Sequence, residues 1–248
     1  MLLMYLRNVI DNNEIELRIR MQLKRWSELP SYMKNKEVKK YYDIIEKRRC
    51  SLLFKRIFDV IASMIMLLIV SPFMVVLMIM IKLDSKGPVF FRQERVTQYG
   101  KIFCIFKFRS MVNNAEEFGV QITACGDTRI TKVGAMLRKL RIDELPQLFN
   151  ILIGDMTFVG TRPEVKKYVD CYTNEMYATL LLPAGLTSRT SIEYKDEDKL
   201  LEGADDITKV YIEKVLPEKM KYNLKNVKHF SLLSDIMTMF ATFFAILK

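Results

Sequence analysis

Two adjacent carboxylates, Asp143 and Glu144, stand just before a Leu-Pro turn in a stretch rich in arginine. At a helix start, the positive end of the helix dipole favours anions and lowers the pKa of a carboxyl group. An ionised aspartate is a competent nucleophile towards phosphorus. A neighbouring glutamate can hold Mg²⁺, which prefers oxygen ligands and usually bridges to substrate phosphates. The pair therefore predicts phosphoryl chemistry, although Asp and Glu at a helix start are also common caps.

Basic side chains accompany the pair and can clamp a diphosphate through paired N–H donors. They are Lys107, Arg109, Arg138, Arg141 and Arg162. Two further carboxylates belong to the same stretch. Asp155 is interpreted either as a helper of the metal or as a loop cap, and Glu164 as the cap of a following helix.

Short elements must position these residues. Aromatic and β-branched residues at 89–91 and 102–108, with turn signals at Gly87-Pro88 and Tyr99-Gly100, predict a β-hairpin whose phenylalanines form sheet core. Asp127 to Thr131 can cap a helix over 131–140. A short helix is expected from Asp143 to Leu152, ended by Gly154. The remaining predicted helices cover 111–118, 164–180 and 204–226.

The longest apolar run of the chain, residues 57–81, predicts where the protein works. A bilayer core requires roughly 20 consecutive apolar residues for a helix. Pro72 lacks an N–H, and its ring clashes with the carbonyl of Leu68, so a kink or a reversal is expected at Ser71-Pro72. The Ser71 hydroxyl can return a hydrogen bond to the freed carbonyls.

Basic residues flank both ends of this run, and positive charge marks the cytoplasmic side of a membrane segment. A helix that enters the bilayer, breaks at Ser71-Pro72 and returns to the same face places both basic flanks on the cytoplasmic side. Asp59 can stay paired with Lys55 and Arg56 near the headgroups. The alternative is a kinked transmembrane anchor. The flanking residues are Lys47, Arg48, Arg49, Lys55 and Arg56 before the run, and Lys82, Lys86, Arg92 and Arg95 after it.

The formal net charge of +10 over 248 residues favours an anionic partner. Because the basic residues cluster beside the apolar run, anionic membrane lipids are the expected partner and nucleic acid is not. The four cysteines show no paired spacing and indicate reduced thiols. The single histidine, His229, is interpreted as structural or interfacial.

The two ends of the chain have different patterns. Residues 1–50 are charged and predict one or two surface helices. In residues 230–247 the polar positions fall on one helical face, so this helix either lies in the membrane interface or packs on the globular domain. The polar positions are Ser231, Ser234, Asp235, Thr238 and Thr242.

Six ordered motifs resemble the bacterial sugar transferase family, the monotopic phosphoglycosyl transferases, over about residues 52–190. The motifs are Lys55-Arg56-Ile57-Phe58-Asp59, Ser71-Pro72, the run Gly87–Val96, Lys107-Phe108-Arg109-Ser110-Met111, Asp143-Glu144-Leu145-Pro146-Gln147-Leu148 and Val159-Gly160-Thr161-Arg162-Pro163. Three positions depart from the family pattern: Arg141 stands where serine is usual, Thr161 where proline is usual, and Pro183–Ser188 match a later motif only in part.

The resemblance implies a reaction at the cytoplasmic face of the bacterial inner membrane. A sugar-1-phosphate would pass from a UDP-sugar to polyprenyl phosphate, with undecaprenyl phosphate as the expected form, with release of UMP, and so begin glycan assembly. The motif match makes Asp143 the nucleophile of a covalent phosphosugar intermediate and Glu144 the Mg²⁺ ligand. Lys107, Arg109, Arg138 and Arg162 would bind phosphate.

Together these observations predict an α+β membrane-associated enzyme. Its segments are an N-terminal helical extension (1–50), a re-entrant membrane helix (51–84), a catalytic core with a hairpin (85–190) and a C-terminal helical region (191–248) with an interfacial helix (230–247). Two rival functions stay open, a membrane-bound nucleotide-diphosphate hydrolase and a non-catalytic scaffold that binds anionic lipid. The sequence also leaves open the sugar, the glycan pathway and whether the chain forms a homo-oligomer.

Overall fold

A computed structural model describes residues 23–113, 127–194 and 206–247. Within these ranges the protein combines helices with two small sheets, which confirms the predicted mixture of helix and sheet. The helices are α1 (Lys36–Glu46), α2 (Arg49–Asp84), α3 (Lys132–Lys139), α4 (Gln147–Ile153), α5 (Lys166–Val169), α6 (Arg189–Glu193), α7 (Ile207–Val210), α8 (Leu216–Lys228) and α9 (Leu232–Leu247). The strands are β1 (Phe90–Val96), β2 (Ile102–Phe108), β3 (Met156–Val159) and β4 (Ala184–Thr187).

The long helix α2 contains the whole apolar run and is long and apolar enough to cross a membrane. All 36 of its residues are helical, including Ser71 and Pro72, so the backbone conformation is not interrupted where the sequence predicts a break. The Ser71 hydroxyl donates to Leu68 O at 3.0 Å. This is the carbonyl that the ring of Pro72 prevents from accepting its usual helical N–H, so the expected compensation is present.

Polar residues in the first part of α2 anchor it to the globular part of the protein. The buried guanidinium of Arg56 donates to Ile151 O at 2.6 Å and to Leu152 O at 2.9 Å, which are carbonyls in the last turn of α4. Asp59 accepts from the hydroxyl of Thr157 at 2.7 Å. The charges of Lys55 and Arg56 still act on Asp59, as predicted, and the buried hydrogen bond with β3 was not predicted.

The second part of α2 packs against the same globular unit. Met74, Leu77 and Ile81 are buried with Phe108 of β2 and Leu137 of α3. At the helix end, the carboxylate of Asp84 accepts from Val133 N at 3.1 Å, the first turn of α3. Both the first and the last part of α2 are therefore attached to the globular unit. The rest of the helix surface exposes apolar side chains, the most exposed of which include Leu68, Ile69 and Leu83.

The predicted hairpin is present, with β1 and β2 antiparallel and Phe91 opposite Lys107. Phe103 and Ile105 are buried with residues of α4 and β3, as expected for sheet core. The second sheet was not predicted: β3 and β4 pair in parallel, with Thr157 opposite Gly185. A Cβ on Gly185 would lie 2.2 Å from Gly160 N, so this close approach of two backbones requires glycine.

Residues 23–46 complete the largest hydrophobic core instead of lying on the surface. Four side chains of α1 are buried: Val38, Tyr41, Tyr42 and Ile45. They pack with Tyr168 and Tyr172 and with side chains of α8. The helix begins at Lys36 because the side chain of Asn35 accepts from Glu37 N and Val38 N. The predicted N-terminal helix thus belongs to the fold, and residues 1–22 lie outside the described part.

Helix α9 turns its polar face inward. Asp235 forms a buried ion pair with Lys55 of α2, and the hydroxyls of Thr242 and Thr187 lie 2.7 Å apart. The opposite face exposes large apolar side chains: Leu233, Met237, Phe240, Phe243 and Phe244. The helix therefore packs on the globular domain, which is one of the two predicted alternatives, and leaves an apolar face outside.

Two predicted helices differ from the structure. A single helix over 164–180 is wrong, because only α5 and a 3₁₀ segment at Met176–Leu181 are helical there. Between them, Asn174 O accepts from the side chain of Asn35 at 3.2 Å, so a contact from α1 replaces a helical hydrogen bond. The helix over 111–118 lies largely outside the described residues, and Met111 instead forms a β-bridge with Ile130.

Candidate active site

A single 3₁₀ turn, Ile142–Glu144, carries the predicted carboxylate pair between α3 and α4. Arg141, just before it, has φ of 53°, in the left-handed region that non-glycine residues seldom adopt. This residue reverses the chain direction after α3, whose first turn is capped by the side chain of Thr131. Gly154, with φ of 91°, ends α4 as expected. The two carboxylates therefore lie in a tight connection that is fixed at both ends.

Glu144 pairs with two of the predicted phosphate-binding cations. Its Oε1 atom lies 2.5 Å from Arg162 Nη2 and 3.2 Å from Lys107 Nζ. Burial alone would raise the pKa of this carboxyl group, but the charges of Arg162 and Lys107 and the hydrogen bond from Arg162 outweigh burial and hold the pKa well below its usual range. Glu144 is therefore ionised, and it joins β2 to the loop after β3.

Asp143 has the opposite electrostatic character. Burial raises its pKa, and the negative charge of Glu144 adds to the rise, while Lys107, Arg138 and Arg162 oppose it. The prediction that the helix start lowers the pKa of this residue is thus wrong, because desolvation outweighs the dipole. Two adjacent carboxylates are driven to different proton affinities by their surroundings, which is a pattern typical of catalytic pairs.

The other two predicted phosphate ligands lie in different places. Arg138 is half-buried in the last turn of α3, and its charge acts on Asp143. Arg109 is buried at the end of α2, where its guanidinium donates to Ser85 O at 2.6 Å and to Lys86 O at 3.2 Å. Arg109 therefore caps the long helix, and its phosphate-binding role stays a prediction.

Arg95 belongs to the site, although no specific role was predicted for it. Its guanidinium donates to the side chain of Gln93 at 2.6 Å and to Pro163 O at 3.3 Å. Its charge lowers the pKa of Lys107, after the larger effect of burial. Strand alternation could have predicted this position. Arg95 and Phe91 are four residues apart on β1 and therefore share one face of the sheet, and Phe91 lies opposite Lys107.

The remaining carboxylates do not join Asp143 and Glu144. Asp155 is buried near Lys101, with its Oδ1 3.4 Å from Lys101 Nζ, and its backbone carbonyl accepts from the hydroxyl of Thr97. Glu164 does not cap α5, whose N-cap is Val165 without a side-chain hydrogen bond. Its carboxylate is buried and accepts from Tyr211 instead. The prediction of a helix cap at Glu164 is therefore wrong.

The donor set of the pair suits Mg²⁺. Among the residues that the structure describes, no three His, Cys, Asp or Glu side chains lie close enough together to hold a metal ion. Mg²⁺ does not require such a cluster, because it keeps several waters and binds through one or two carboxylates together with substrate phosphates. In the part of the chain that the structure describes, the hydrogen bonds from Lys107 and Arg162 both go to Oε1 of Glu144. The carboxylate of Glu144 can therefore serve as a ligand through its other oxygen.

Comparison with known proteins identifies the family of this chain. The family described as bacterial sugar transferase matches residues 50–248, and the chain belongs to this family. The match includes α2 from Cys50 onward, the hairpin, the carboxylate pair and the C-terminal helices.

Three curated relatives illustrate the range of similarity. A UDP-N-acetylgalactosamine-undecaprenyl-phosphate N-acetylgalactosaminephosphotransferase of Aeromonas hydrophila is 40% identical over 197 residues, covering 78% of this chain and 43% of the relative. An undecaprenyl-phosphate galactose phosphotransferase of Salmonella typhimurium is 33% identical, covering 81% of this chain and 42% of the relative. The exopolysaccharide production protein ExoY of Rhizobium meliloti is 32% identical, with coverage of 76% and 83%. The chain thus spans less than half of the first two relatives and most of the third.

Proposed function

We propose that this protein is a membrane-bound phosphoglycosyl transferase that moves a sugar-1-phosphate from a UDP-sugar to polyprenyl phosphate and releases UMP. The observation that carries the proposal is the single turn on which Asp143, with a raised pKa, stands beside Glu144 and its two cations. The names of two relatives contain undecaprenyl phosphate, which supports undecaprenyl phosphate as the polyprenyl substrate. The name of a third relative, an exopolysaccharide production protein, supports a reaction that begins the assembly of a cell-surface glycan or exopolysaccharide.

The reaction has two steps at Asp143. First, a carboxylate oxygen attacks the phosphorus that bears the sugar, the bond from this phosphorus to the bridging oxygen breaks, and UMP leaves. Then a phosphate oxygen of the polyprenyl phosphate attacks the same phosphorus, the bond to Asp143 breaks, and polyprenyl diphosphate sugar leaves. Covalent catalysis of this kind divides one difficult transfer into two easier ones. It also lets a soluble donor and a membrane acceptor use one site in turn.

The cations hold the phosphates for both steps. Lys107, Arg138 and Arg162 all act on Asp143 through their charges. An anionic substrate that approaches Asp143 is therefore attracted by the same three cations. Burial and a neighbouring negative charge make Asp143 a stronger base than an exposed aspartate, which favours attack once its proton is lost. We propose Glu144 as the ligand of Mg²⁺, which when bound would neutralise charge on the diphosphate.

The attachment of α2 supports a re-entrant helix rather than a spanning one. Arg56 near its start and Asp84 at its end both bind the same globular unit, through α4 and α3. A straight helix of this length would extend for roughly 54 Å, so the proposed re-entrant arrangement requires that the continuous helix bends at Pro72 to return both ends to one side of a bilayer. Polar contacts at both ends support placement of both ends at the cytoplasmic face.

The exposed apolar surfaces support contact with lipid at this face. The uncovered side chains of α2 near Pro72 include Leu68, Ile69 and Phe73, and α9 adds Phe240 and Phe244. Soluble proteins seldom expose large contiguous apolar patches. We propose that the tip of α2 enters one leaflet while α9 lies along it, with the net positive charge favouring anionic lipids at the bacterial inner membrane.

Mass spectrometry of a trapped intermediate tests the proposal. The protein in nanodiscs is mixed with a panel of UDP-sugars in turn, quenched and digested, and the peptide that contains Asp143 is searched for a phosphosugar adduct. We expect UMP release with one sugar and loss of the adduct when undecaprenyl phosphate is added. Release of UMP with no adduct and no lipid product would identify a hydrolase. Binding of lipid without turnover of any donor would identify a scaffold.

A further inference from the structure

Three buried polar side chains form a cluster next to the loop that follows β3 and carries Arg162. The Glu164 carboxylate accepts from the hydroxyl of Tyr211 at 2.7 Å and from Lys219 Nζ at 3.3 Å. Lys219 Nζ also donates to the Tyr211 hydroxyl at 2.9 Å. All three residues are at least nine-tenths buried. A buried charged pair is weak evidence for stability, because its desolvation cost can match the attraction. The cluster therefore calls for another explanation.

A local irregularity of the helix brings Tyr211 into this cluster. Residues Tyr211–Val215 form a π-helical turn between α7 and α8. Pro217 follows in the first turn of α8, where it lacks an N–H and its ring conflicts with the carbonyl four residues earlier, so the preceding turn widens. Turns of this type inside helices are rare and occur frequently at functional sites. The C-terminal helices thus have a specific geometry at the point where they meet Glu164.

The backbone on both sides of Arg162 is held in place. Thr161 O accepts from Gly185 N at 2.8 Å. On the other side, Pro163 O accepts from Arg95 at 3.3 Å, and Glu164 O accepts from Val96 N at 2.9 Å. Arg162 extends from this anchored loop to Glu144 at 2.5 Å. Two residues after Arg162, the Glu164 side chain anchors the loop to Tyr211 and Lys219, which lie in a distant part of the chain.

We infer that Glu164, Tyr211 and Lys219 are positioning residues that fix the Arg162 loop, with Arg95, in the geometry that binds the diphosphate of the donor. The inference rests on the proposed function for the identity of that ligand. The charge of Glu164 also acts on the site directly. This negative charge attracts the guanidinium of Arg162. The cluster thus links the C-terminal helices to the phosphate site through one short loop.

Binding of UDP in the presence of Mg²⁺ provides a test that does not depend on turnover. Isothermal titration calorimetry on the full chain in nanodiscs compares the wild type with Tyr211→Phe and Glu164→Gln. The matched control is Thr190→Val, which removes another buried hydrogen bond to α8, the bond of 2.7 Å from Thr190 to Asn223. Circular dichroism follows thermal unfolding of each variant. The single changes are repeated in an Arg162→Ala background.

We expect Tyr211→Phe and Glu164→Gln to weaken UDP binding by about fivefold or more, and to have little effect once Arg162 is absent, since coupled residues are not additive. Thr190→Val should lower thermal stability without changing affinity. Equal weakening by all three variants, or an undiminished effect in the Arg162→Ala background, would overturn the inference. If Glu164→Gln does not fold, the milder Tyr211→Phe decides. Absence of transfer with the expected binding pattern would contradict the proposed function and leave this inference standing.

Discussion

Arg162 Nη2 lies 2.5 Å from Glu144 Oε1, and this contact joins the loop after β3 to the turn that carries Asp143. Lys107 of β2 binds the same oxygen atom. Three segments that are distant in sequence therefore meet at one carboxylate. The arrangement keeps two cations next to Asp143 while Glu144 balances part of their charge. A phosphate group that enters this site can accept hydrogen bonds from the same two cations, so the site suits an anionic substrate.

Replacing Asp143 by asparagine should abolish transfer without harming the fold. We expect UMP release to fall by about a thousandfold or more, because the nucleophile is lost. The raised pKa means that the ionised carboxyl group destabilises the folded state at neutral pH. The neutral amide removes this penalty, so the melting temperature should stay equal or rise. Activity assays and thermal unfolding in nanodiscs measure both. A fully active variant would exclude Asp143 as the nucleophile.

Glu144→Gln should lower stability in a way that depends on pH. The pKa of Glu144 is lowered in the folded protein, so its ionised form stabilises the fold above the pKa of the unfolded chain, about 4.3. That contribution is lost as the pH falls from there towards the folded pKa. At pH 7 the variant leaves Lys107 and Arg162 without their partner, and we expect a loss of about 2 kcal/mol, below the range for fully buried pairs.

Chemical denaturation of the Glu144→Gln variant at several pH values checks this result. The difference from the wild type should shrink steadily below pH 4. The control is Glu37→Gln, which breaks an exposed pair with Lys40. Exposed pairs contribute little, so this variant should match the wild type throughout the range. A difference for Glu144→Gln that stays constant with pH would contradict the assignment of an ionised, paired Glu144.

Arg109 and Arg138 should give opposite results, although both are predicted phosphate ligands. Arg109→Lys loses the forked donation to backbone carbonyls at the end of α2 and should reduce the free energy of unfolding by about 1–3 kcal/mol, with little change in UDP affinity. Arg138→Gln removes a charge that acts on Asp143 and should weaken UDP binding with little loss of stability. Calorimetry and thermal unfolding separate the two effects. Weakened UDP binding by Arg109→Lys would instead favour its role in the phosphate site.

Cysteine labelling can decide how α2 enters the membrane. Cys50 is exposed at the start of the helix, and Cys171 is exposed on the globular part. A third site, Lys86→Cys, lies just after the helix. Variants that retain one cysteine each are treated with a membrane-impermeant maleimide in intact cells and after the inner membrane is opened. A re-entrant helix requires that all three sites react only after opening. Reaction of Lys86→Cys in intact cells would show that α2 spans the bilayer.

Local patterns predicted a large share of the fold. The hairpin followed from two aromatic and β-branched segments around a turn, and α3 followed from the capping residues before Lys132. The pairing of β3 with β4 could not be read in the same way, because a parallel pair needs a long connection and no turn specifies its register. The prediction of one helix over 164–180 was wrong for a related reason: Asn174 O accepts from the side chain of Asn35, which is distant in sequence.

The sequence by itself determined the apolar helix, the carboxylate pair and the set of cations, because hydropathy, spacing and turn chemistry are properties of neighbouring residues. Tertiary structure decided how these residues act. It directed Arg109 to the end of α2, brought Arg162 and Lys107 to Glu144, and paired Glu164 with Tyr211. It also raised the pKa of Asp143, where the local helix start predicted a lower value. Burial and electrostatic interactions depend on which residues meet in space, and those neighbours come from distant parts of the chain.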